Sequence, residues 1–452
     1  MHNRLWLCTA VLPTFLVVAG CSHDENPKVS TGTIQDLETI PQDASEIIRT
    51  GAIPLPEADE DRSAGLEAYW FGPWDQSEPA ACTPEEFAWA EASFRRRPTF
   101  GPNLLEVSAA KLEATISNAL LEQYPSRADR AITVRNASLR ALPSADPVFH
   151  DFRLAGEGYP FDYNQNSAVW AGTPLFVSHT SRDGRYVAAD SPYTCGWIDV
   201  RDIAFVSDDF VAAYRAETLG AILSDRTPLE SDQGGFLFEG RVGMLLPFEP
   251  AAGPETSVLA ALADEDRQAV LTRAQAPSDV VAAVPMAFTG ENLAGLVNQI
   301  IGQPYGWGGL GGYRDCSSTV LDLLLPFGLP LPRNSGQQAG AGKKVDLEEG
   351  LSASEKEDRV VAQAAPFRTL LNIPGHVMLY LGTYQGIPVA FHTIWGLRTE
   401  SAGGSNPGRH VIGRSVITSL SPGVELESLS KSRGDLLGRI QSLTLVGEQP
   451  GR

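Results

Sequence analysis

Basic charge is what this sequence is short of: 35 Lys and Arg stand against 55 Asp and Glu, for a formal net charge of −20. A surface that grips phosphates needs clustered cations, so the charge argues against nucleic acid as a partner. Long apolar runs are missing except at residues 5–18, and that one is too short to be a good transmembrane span. Cysteine is scarce, with five in 452 residues. Cys8 and Cys21 fall in the N-terminal segment, leaving Cys82, Cys195 and Cys316. Three is odd, so at least one stays free or pairs between chains, and a Cys82–Cys195 bridge stays open. What is present is ordinary globular material, 43% hydrophobic and 20% charged, long enough for two to four domains. The acid is unevenly spread: from Glu291 onward Lys plus Arg and Asp plus Glu number 14 each, so the whole excess lies upstream.

The N-terminus reads as a targeting segment. Arg4 precedes the apolar run, and Val18-Ala19-Gly20-Cys21 resembles a bacterial lipobox, which implies cleavage before Cys21 and lipidation of that residue. Plain secretion is the alternative. By resemblance to Gram-negative lipoproteins, Ser22 favours the outer membrane, with the protein on its periplasmic side. Residues 1–20 are then a signal peptide. Residues 21–62, rich in Asp, Glu, Thr, Pro and Ser, read as a flexible tether.

Downstream, the patterning predicts a multidomain α+β chain. Residues 63–127 form a small helical module: Tyr69-Trp70-Phe71-Gly72-Pro73-Trp74 is an aromatic knot suited to packing between domains, and Thr83-Pro84 caps a helix. Residues 128–207 carry short strands and an Asp183-Gly184 hairpin signal and resemble a bacterial SH3-like barrel; 208–288 read as a second, divergent one. Residues 289–452 form the last domain. Within it, residues 345–358 read as a solvated acidic loop.

The chemistry gathers in that last domain. Pro304-Tyr305-Gly306-Trp307-Gly308-Gly309-Leu310-Gly311-Gly312-Tyr313-Arg314-Asp315-Cys316-Ser317-Ser318 is a glycine-rich loop delivering Cys316 to the first turn of a helix. There the unpaired N–H groups favour thiolate and offer donors to an oxyanion. Gly375-His376-Val377-Met378-Leu379-Tyr380 and Phe391-His392-Thr393 read as two strands joined by a turn at 384–386. Pairing 376 with 394 and 378 with 392 brings both histidines to the open end of a hairpin. Cys316 is then a nucleophile, His376 its base and later the acid for the leaving amine, and His392 the group that orients His376. The Cys316 N–H and Tyr305 hydroxyl are candidates to hold the oxyanion. Zinc ligation by Cys-His-His is the rival reading.

Tyr305-Gly306-Trp307-Gly308-Gly309, Asp315-Cys316-Ser317, the Gly375–Gly382 strand and Phe391-His392 resemble the NlpC-type family of papain-like bacterial cell-wall cysteine peptidases. Leu331-Pro332-Arg333-Asn334-Ser335 and Ile394-Trp395-Gly396 resemble its subgroup with an N-terminal clip module and two SH3-like domains. The resemblance implies a papain-like domain, no metal or other cofactor, and cleavage of the γ-D-glutamyl-diamino acid bond of peptidoglycan stem peptides with a free N-terminal L-Ala. It also implies that Tyr305 assists the oxyanion, that Asp315 and Ser317 contact the substrate peptide, and that the first barrel narrows the cleft, with the Phe161-Asp162-Tyr163 segment, Tyr163 above all, as the candidate contact. Two other readings remain: a catalytically inactive peptidoglycan-binding lipoprotein, or an amidase or acyltransferase using the same cysteine. Which diamino acid is taken, and the oligomeric state, are not legible.

Overall fold

The computed structural model describes residues 29–48, 59–250, 253–400 and 407–448. The apolar leader and Cys21 lie outside the described residues. Among the described residues, no helix is long and apolar enough to cross a membrane.

Three seven-stranded sheets and a helical N-terminal module make up the chain, a multidomain α+β architecture. In the N-terminal module, the helix Pro84–Arg96 starts where Thr83 accepts a hydrogen bond from the Glu86 amide, with Pro at the first helical position. The aromatic knot is buried, and Trp74 stacks among Phe71, Phe210 and Tyr214 while its indole N–H donates to the Ala131 carbonyl at 2.7 Å. It packs between domains as its composition predicts. The first barrel-like sheet spans strands from Asp129–Thr133 to Ile203–Phe205, and the second spans strands from Thr218–Ile222 to Val281–Ala283. One apolar cluster runs from Trp70 and Trp74 through Tyr214 and Leu245 to Val320, Leu379 and Phe391. The modules therefore share a core rather than hanging on linkers.

Two sequence readings are corrected here. Residues 29–48 are docked, not a tether: Val29–Thr31 adds a parallel strand beside Pro407–Ser419, and Ile34, Ile40, Ala44, Ile47 and Ile48 are buried. Gln42 pairs with the Ile417 backbone on both sides, donating to its carbonyl at 2.8 Å and accepting from its amide at 3.0 Å, which covers an edge that would otherwise be open. An average over a polar stretch hid five well-spaced apolar side chains. Residues 345–358 are likewise partly built. Lys343–Asp346 pairs with Ser442–Leu445, and the helix Ala353–Gln363 begins with a Ser352–Glu355 capping box and buries Val360. That Ser-x-x-Glu was a readable signal.

Cys82 and Cys195 are free, buried and neighbouring, with their sulfurs within 4.8 Å of each other and of an Asp190 carboxylate oxygen. That carboxylate accepts from the Ala80, Ala81 and Cys82 amides, joining the helical module to the first barrel.

Candidate active site

Cys316 opens the helix Cys316–Leu324, whose N-cap is Asp315. The Asp315 carboxylate accepts from the Ser318 amide at 2.9 Å, and the Ser318 hydroxyl accepts from the Asp315 amide at 2.9 Å, a reciprocal box that fixes the entry angle of the chain. At this first helical position the Cys316 N–H has no intrahelical acceptor.

The two residues before the cysteine are gripped from opposite sides. Arg314, 1% exposed, donates to Asp225 at 2.7 and 2.9 Å and to the Val242 carbonyl at 2.9 Å, all in the second barrel, and to Asp322 of the nucleophile helix at 2.7 Å. Asp315 receives Arg333 in a two-pronged contact at 3.1 and 2.7 Å and the Gly308 amide at 2.9 Å. Arg333 in turn donates to Ser317 at 2.7 Å and to Ser167 of the first barrel at 2.8 Å. Burial alone would raise the Asp315 carboxyl, but Arg333, together with the Ser318 donors, outweighs it and holds the pKa below the usual range. Both Asp315 and Ser317 are thus buried and fully engaged, and neither lines the cleft. The expectation that they touch substrate is corrected: they hold the loop.

The glycines of this loop have a reason in the first barrel. Gly308 and Gly309 adopt positive φ, and a Cβ on either would lie 2.3 Å from the Gln165 carbonyl oxygen or 2.4 Å from the Ala168 Cβ. Gln165 donates to the Gly308 carbonyl at 3.0 Å across that seam.

His376 and His392 meet as the hairpin predicts. The ladder reaches Leu379 opposite Phe391, one residue short of His392 and three short of His376, and His376 Nε2 lies 2.8 Å from His392 Nδ1. Cys316 and His376 line the same cleft, and the Val377 amide, next to His376, acts on the thiol to lower its pKa. One further group completes the line: His392 Nε2 is 3.1 Å from the Thr418 hydroxyl, which donates its own proton to the Ser419 carbonyl at 2.7 Å. With its proton spent there, Thr418 accepts from His392 Nε2–H, His392 Nδ1 accepts from His376 Nε2–H, and His376 Nδ1 is left bare for the thiol proton. The two rings face each other rather than a common point, so this is hydrogen-bond geometry and not the convergent lone pairs of a zinc site. Thr418 is a positioning residue that sequence reading missed. Thr418→Val is expected to lower kcat by about tenfold to a hundredfold with KM little changed, by releasing the tautomer. An unchanged kcat in stopped assays would remove Thr418 from the relay.

The site opens into a cleft of about 1080 Å³ lined by Tyr305, Trp307, Cys316, His376 and, from the first barrel, Phe161. Phe161 meets Tyr305, Trp307 and Trp395 edge-on at 6.2, 5.3 and 6.1 Å between ring centroids. The Tyr305 hydroxyl has no hydrogen-bond partner among the described residues and is kept protonated by burial, then by Asp315 and Cys316. Tyr163 does not reach the cleft: it packs behind Trp307 and donates to Glu157 at 2.6 Å, while Asp162 pairs with Arg140 at 2.9 Å inside the barrel. The barrel's contribution is therefore apolar, through Phe161.

Burial, then the neighbouring Asp315 charge, pushes the Cys316 thiol up to about 12. Burial, then Arg439, pushes His376 down to about 4, and burial sends His392 well below its usual value. The resting pair is neutral, against the thiolate expected from the helix N-terminus, because desolvation outweighs the amides. Two pH effects follow. kcat/KM is expected to hold down to about pH 4 rather than fall near 6.5, since the base stays unprotonated. Stability is expected to be full above pH 6.5 and to decline as pH falls toward 4, because the unfolded histidine takes a proton that the folded one refuses. A pH–rate profile with an acid limb near 6.5 would contradict the first, and a flat melting temperature across that window the second.

Comparison with known proteins gives four family matches: "NLPC_P60 stabilising domain, N term" over residues 7–124, "SH3 domain (SH3b1 type)" over 147–199, "SH3 domain of SH3b2 type" over 207–252 and "NlpC/P60 family" over 302–402. The solved structure of an NlpC/P60 endopeptidase from Photobacterium damselae subsp. piscicida is 25% identical with a TM-score of 0.82, covering 94% of this chain and 100% of that one. An NlpC/P60 family protein from Bacillus cereus ATCC 10987 is 16% identical, TM-score 0.43, covering 67% of this chain and 97% of that one. A gamma-D-glutamyl-L-lysine dipeptidyl-peptidase from Bacillus subtilis (strain 168) is 36% identical over 73 residues, 16% of this chain. The match spans 25% of that relative's length.

Proposed function

This chain belongs to the NlpC/P60 family, and on that premise we propose that it is a cysteine endopeptidase cleaving the γ-D-glutamyl-diamino acid bond of peptidoglycan stem peptides. The observation that carries the reading is the relay from Thr418 through His392 to His376, ending on a bare nitrogen in the cleft that Cys316 also lines. In this reading His376 Nδ1 takes the thiol proton as sulfur attacks the amide carbonyl, and the Cys316 N–H and Tyr305 hydroxyl receive the oxyanion. His376 then protonates the leaving amine, and water releases the γ-glutamyl product from the thioester.

Phe161 and its aromatic neighbours narrow the cleft from the barrel side, which favours short stems with a free N-terminal L-Ala over strands still joined to glycan. The reading also places the mature chain on the periplasmic face of the outer membrane, anchored by a lipidated Cys21. Digestion of free L-Ala-γ-D-Glu-diamino acid tripeptide beside intact muropeptides, with products weighed, tests the activity. Release of the diamino acid, faster from the free peptide, is the expected result. Sacculus binding without turnover, or a product from another bond, would replace the reading with one of its rivals.

A further inference from the structure

Two buried cysteines take no part in the cleft. Cys82 sits just before the Thr83 cap of the helix Pro84–Arg96, and Cys195 opens the strand Cys195–Asp199 of the first barrel, with their sulfurs within 4.8 Å of each other. Each backbone is pinned on both sides. The Cys82 amide donates to Asp190 at 2.6 Å, and its carbonyl accepts from the Tyr124 hydroxyl. Cys195 pairs with Asp190 in the barrel ladder, and its carbonyl accepts from the Asn166 amide group at 2.7 Å. Asp190 therefore holds both residues, and what stays free is the rotation of two short side chains. Phe87, Ala119, Tyr186, Ala188 and Trp197 pack around them in an apolar cluster.

A metal ion is the rival use for two sulfurs beside a carboxylate. Asp190 is already occupied, because its two oxygens accept from the Ala80, Ala81 and Cys82 amides. His179, which packs on Tyr124 and Trp197, turns its nitrogens to the Ser126 hydroxyl and to the Ala119 and Leu120 carbonyls. That leaves the two sulfurs, fewer donors than a structural zinc takes. We propose that Cys82 and Cys195 are a disulfide site, oxidised by a disulfide such as oxidised glutathione in an oxidising compartment, and that the bond staples the helical module to the first barrel. One cysteine, as thiolate, attacks a sulfur of the oxidant and expels one thiolate; the other cysteine then attacks the mixed disulfide and expels the second. The Cys82–Cys195 bond forms, the oxidant's S–S bond breaks, and the two protons lost by the cysteines end on the two released thiols. Burial, then Cys195 and Asp190, raises the Cys82 thiol well above its usual pKa, so this exchange belongs to the chain before the seam closes. The bond makes one ring of residues 82–195, and a long ring takes the most freedom from the unfolded chain. Neither cysteine lines the cleft, so the staple acts on stability and leaves the chemistry at Cys316 alone.

The full chain synthesised in an oxidising glutathione buffer, and separately in a reducing one, tests this. Free thiols are blocked, each sample is digested with trypsin without reduction, and the peptides are weighed. The expected product of the oxidising buffer is one linked pair, Ser63–Arg95 with Tyr186–Arg201, lighter than its reduced parts by the two hydrogens lost. The melting temperature of the linked chain is expected to lie about 5 °C above that of the reduced chain, with the gap gone in Cys82→Ala and in Cys195→Ala. The linked peptide is read on the parent chain, so it decides the matter even where an alanine variant fails to fold. Both thiols blocked separately in the oxidising sample, either one joined instead to Cys8, Cys21 or Cys316, or one equivalent of zinc shielding both overturns the inference. So does a linked pair with no gap in melting temperature, or a gap that persists in both variants.

Discussion

Cys316→Ala is expected to cut cleavage of the stem tripeptide by about 10⁴-fold or more, because no other group near His376 can form the thioester. The substitution removes one buried sulfur. It leaves the Asp315–Ser318 box, the Arg314 contacts and the histidine relay in place, so melting temperature and circular dichroism should stay near those of the parent. The variant should also retain substrate affinity, which separates loss of chemistry from loss of the cleft. Thiol alkylation should reproduce the loss, with modification mapped to Cys316. Cys82 and Cys195 are buried in the seam between the helical module and the first barrel and serve as internal controls. Undiminished release of diamino acid from either preparation would end the cysteine mechanism.

The second large effect is on stability. Arg333→Met keeps roughly the bulk but strands the Asp315 carboxylate in a buried site, and breaking such a pair costs about 3–5 kcal/mol. Denaturant midpoints measure it. The sign with pH is specific. In the parent, Arg333 holds the Asp315 pKa below its usual value of 3.8, so the pair's contribution is present above that pH and lost as pH falls through the lowered value. In the variant burial is opposed only by the Ser318 and Gly308 donors and the carboxyl takes a proton more readily, so the deficit relative to the parent should shrink on acidification. Arg333→Met with Asp315→Asn should recover part of the loss at neutral pH by removing the stranded charge, a coupling expected for residues in direct contact. A Met variant as stable as the parent would mean that the backbone donors alone satisfy Asp315. Activity should fall with stability, since Arg333 also anchors Ser317 and reaches Ser167 in the first barrel.

Local rules carried some parts of this molecule a long way. Thr83 caps the helix that follows, and the strand alternation around His376 and His392 set a register that the ladder reproduces as far as Leu379 and Phe391. Where the reading failed, the deciding contact was distant in sequence. Asp315 and Ser317 look like substrate contacts beside a nucleophile, but Arg333 and Gly308 occupy the carboxylate. Tyr163 looked like the polar tip of a barrel loop, but Glu157 holds it and Phe161 takes the place in the cleft. Thr418 could be found only by knowing the register of a third strand, where Val416 pairs with His392 and Thr418 lies two residues further along.

The loop from Pro304 to Ser318 shows the division. Its composition by itself determined a flexible, closely approachable turn ending in a cysteine at a helix start, because glycine spacing and a cap residue are properties of adjacent residues. Only the tertiary structure decided what state that cysteine rests in and what holds it. Desolvation is a sum over everything packed around the thiol, and it outweighs the amides of the helix N-terminus. The grip on Arg314 and Asp315 comes from Asp225 in one barrel and, through Arg333, from Ser167 in the other. Charge follows the same rule: a count of lysines and arginines reports an acidic chain, whereas four arginines meet in one cleft because strands and loops distant in sequence converge there.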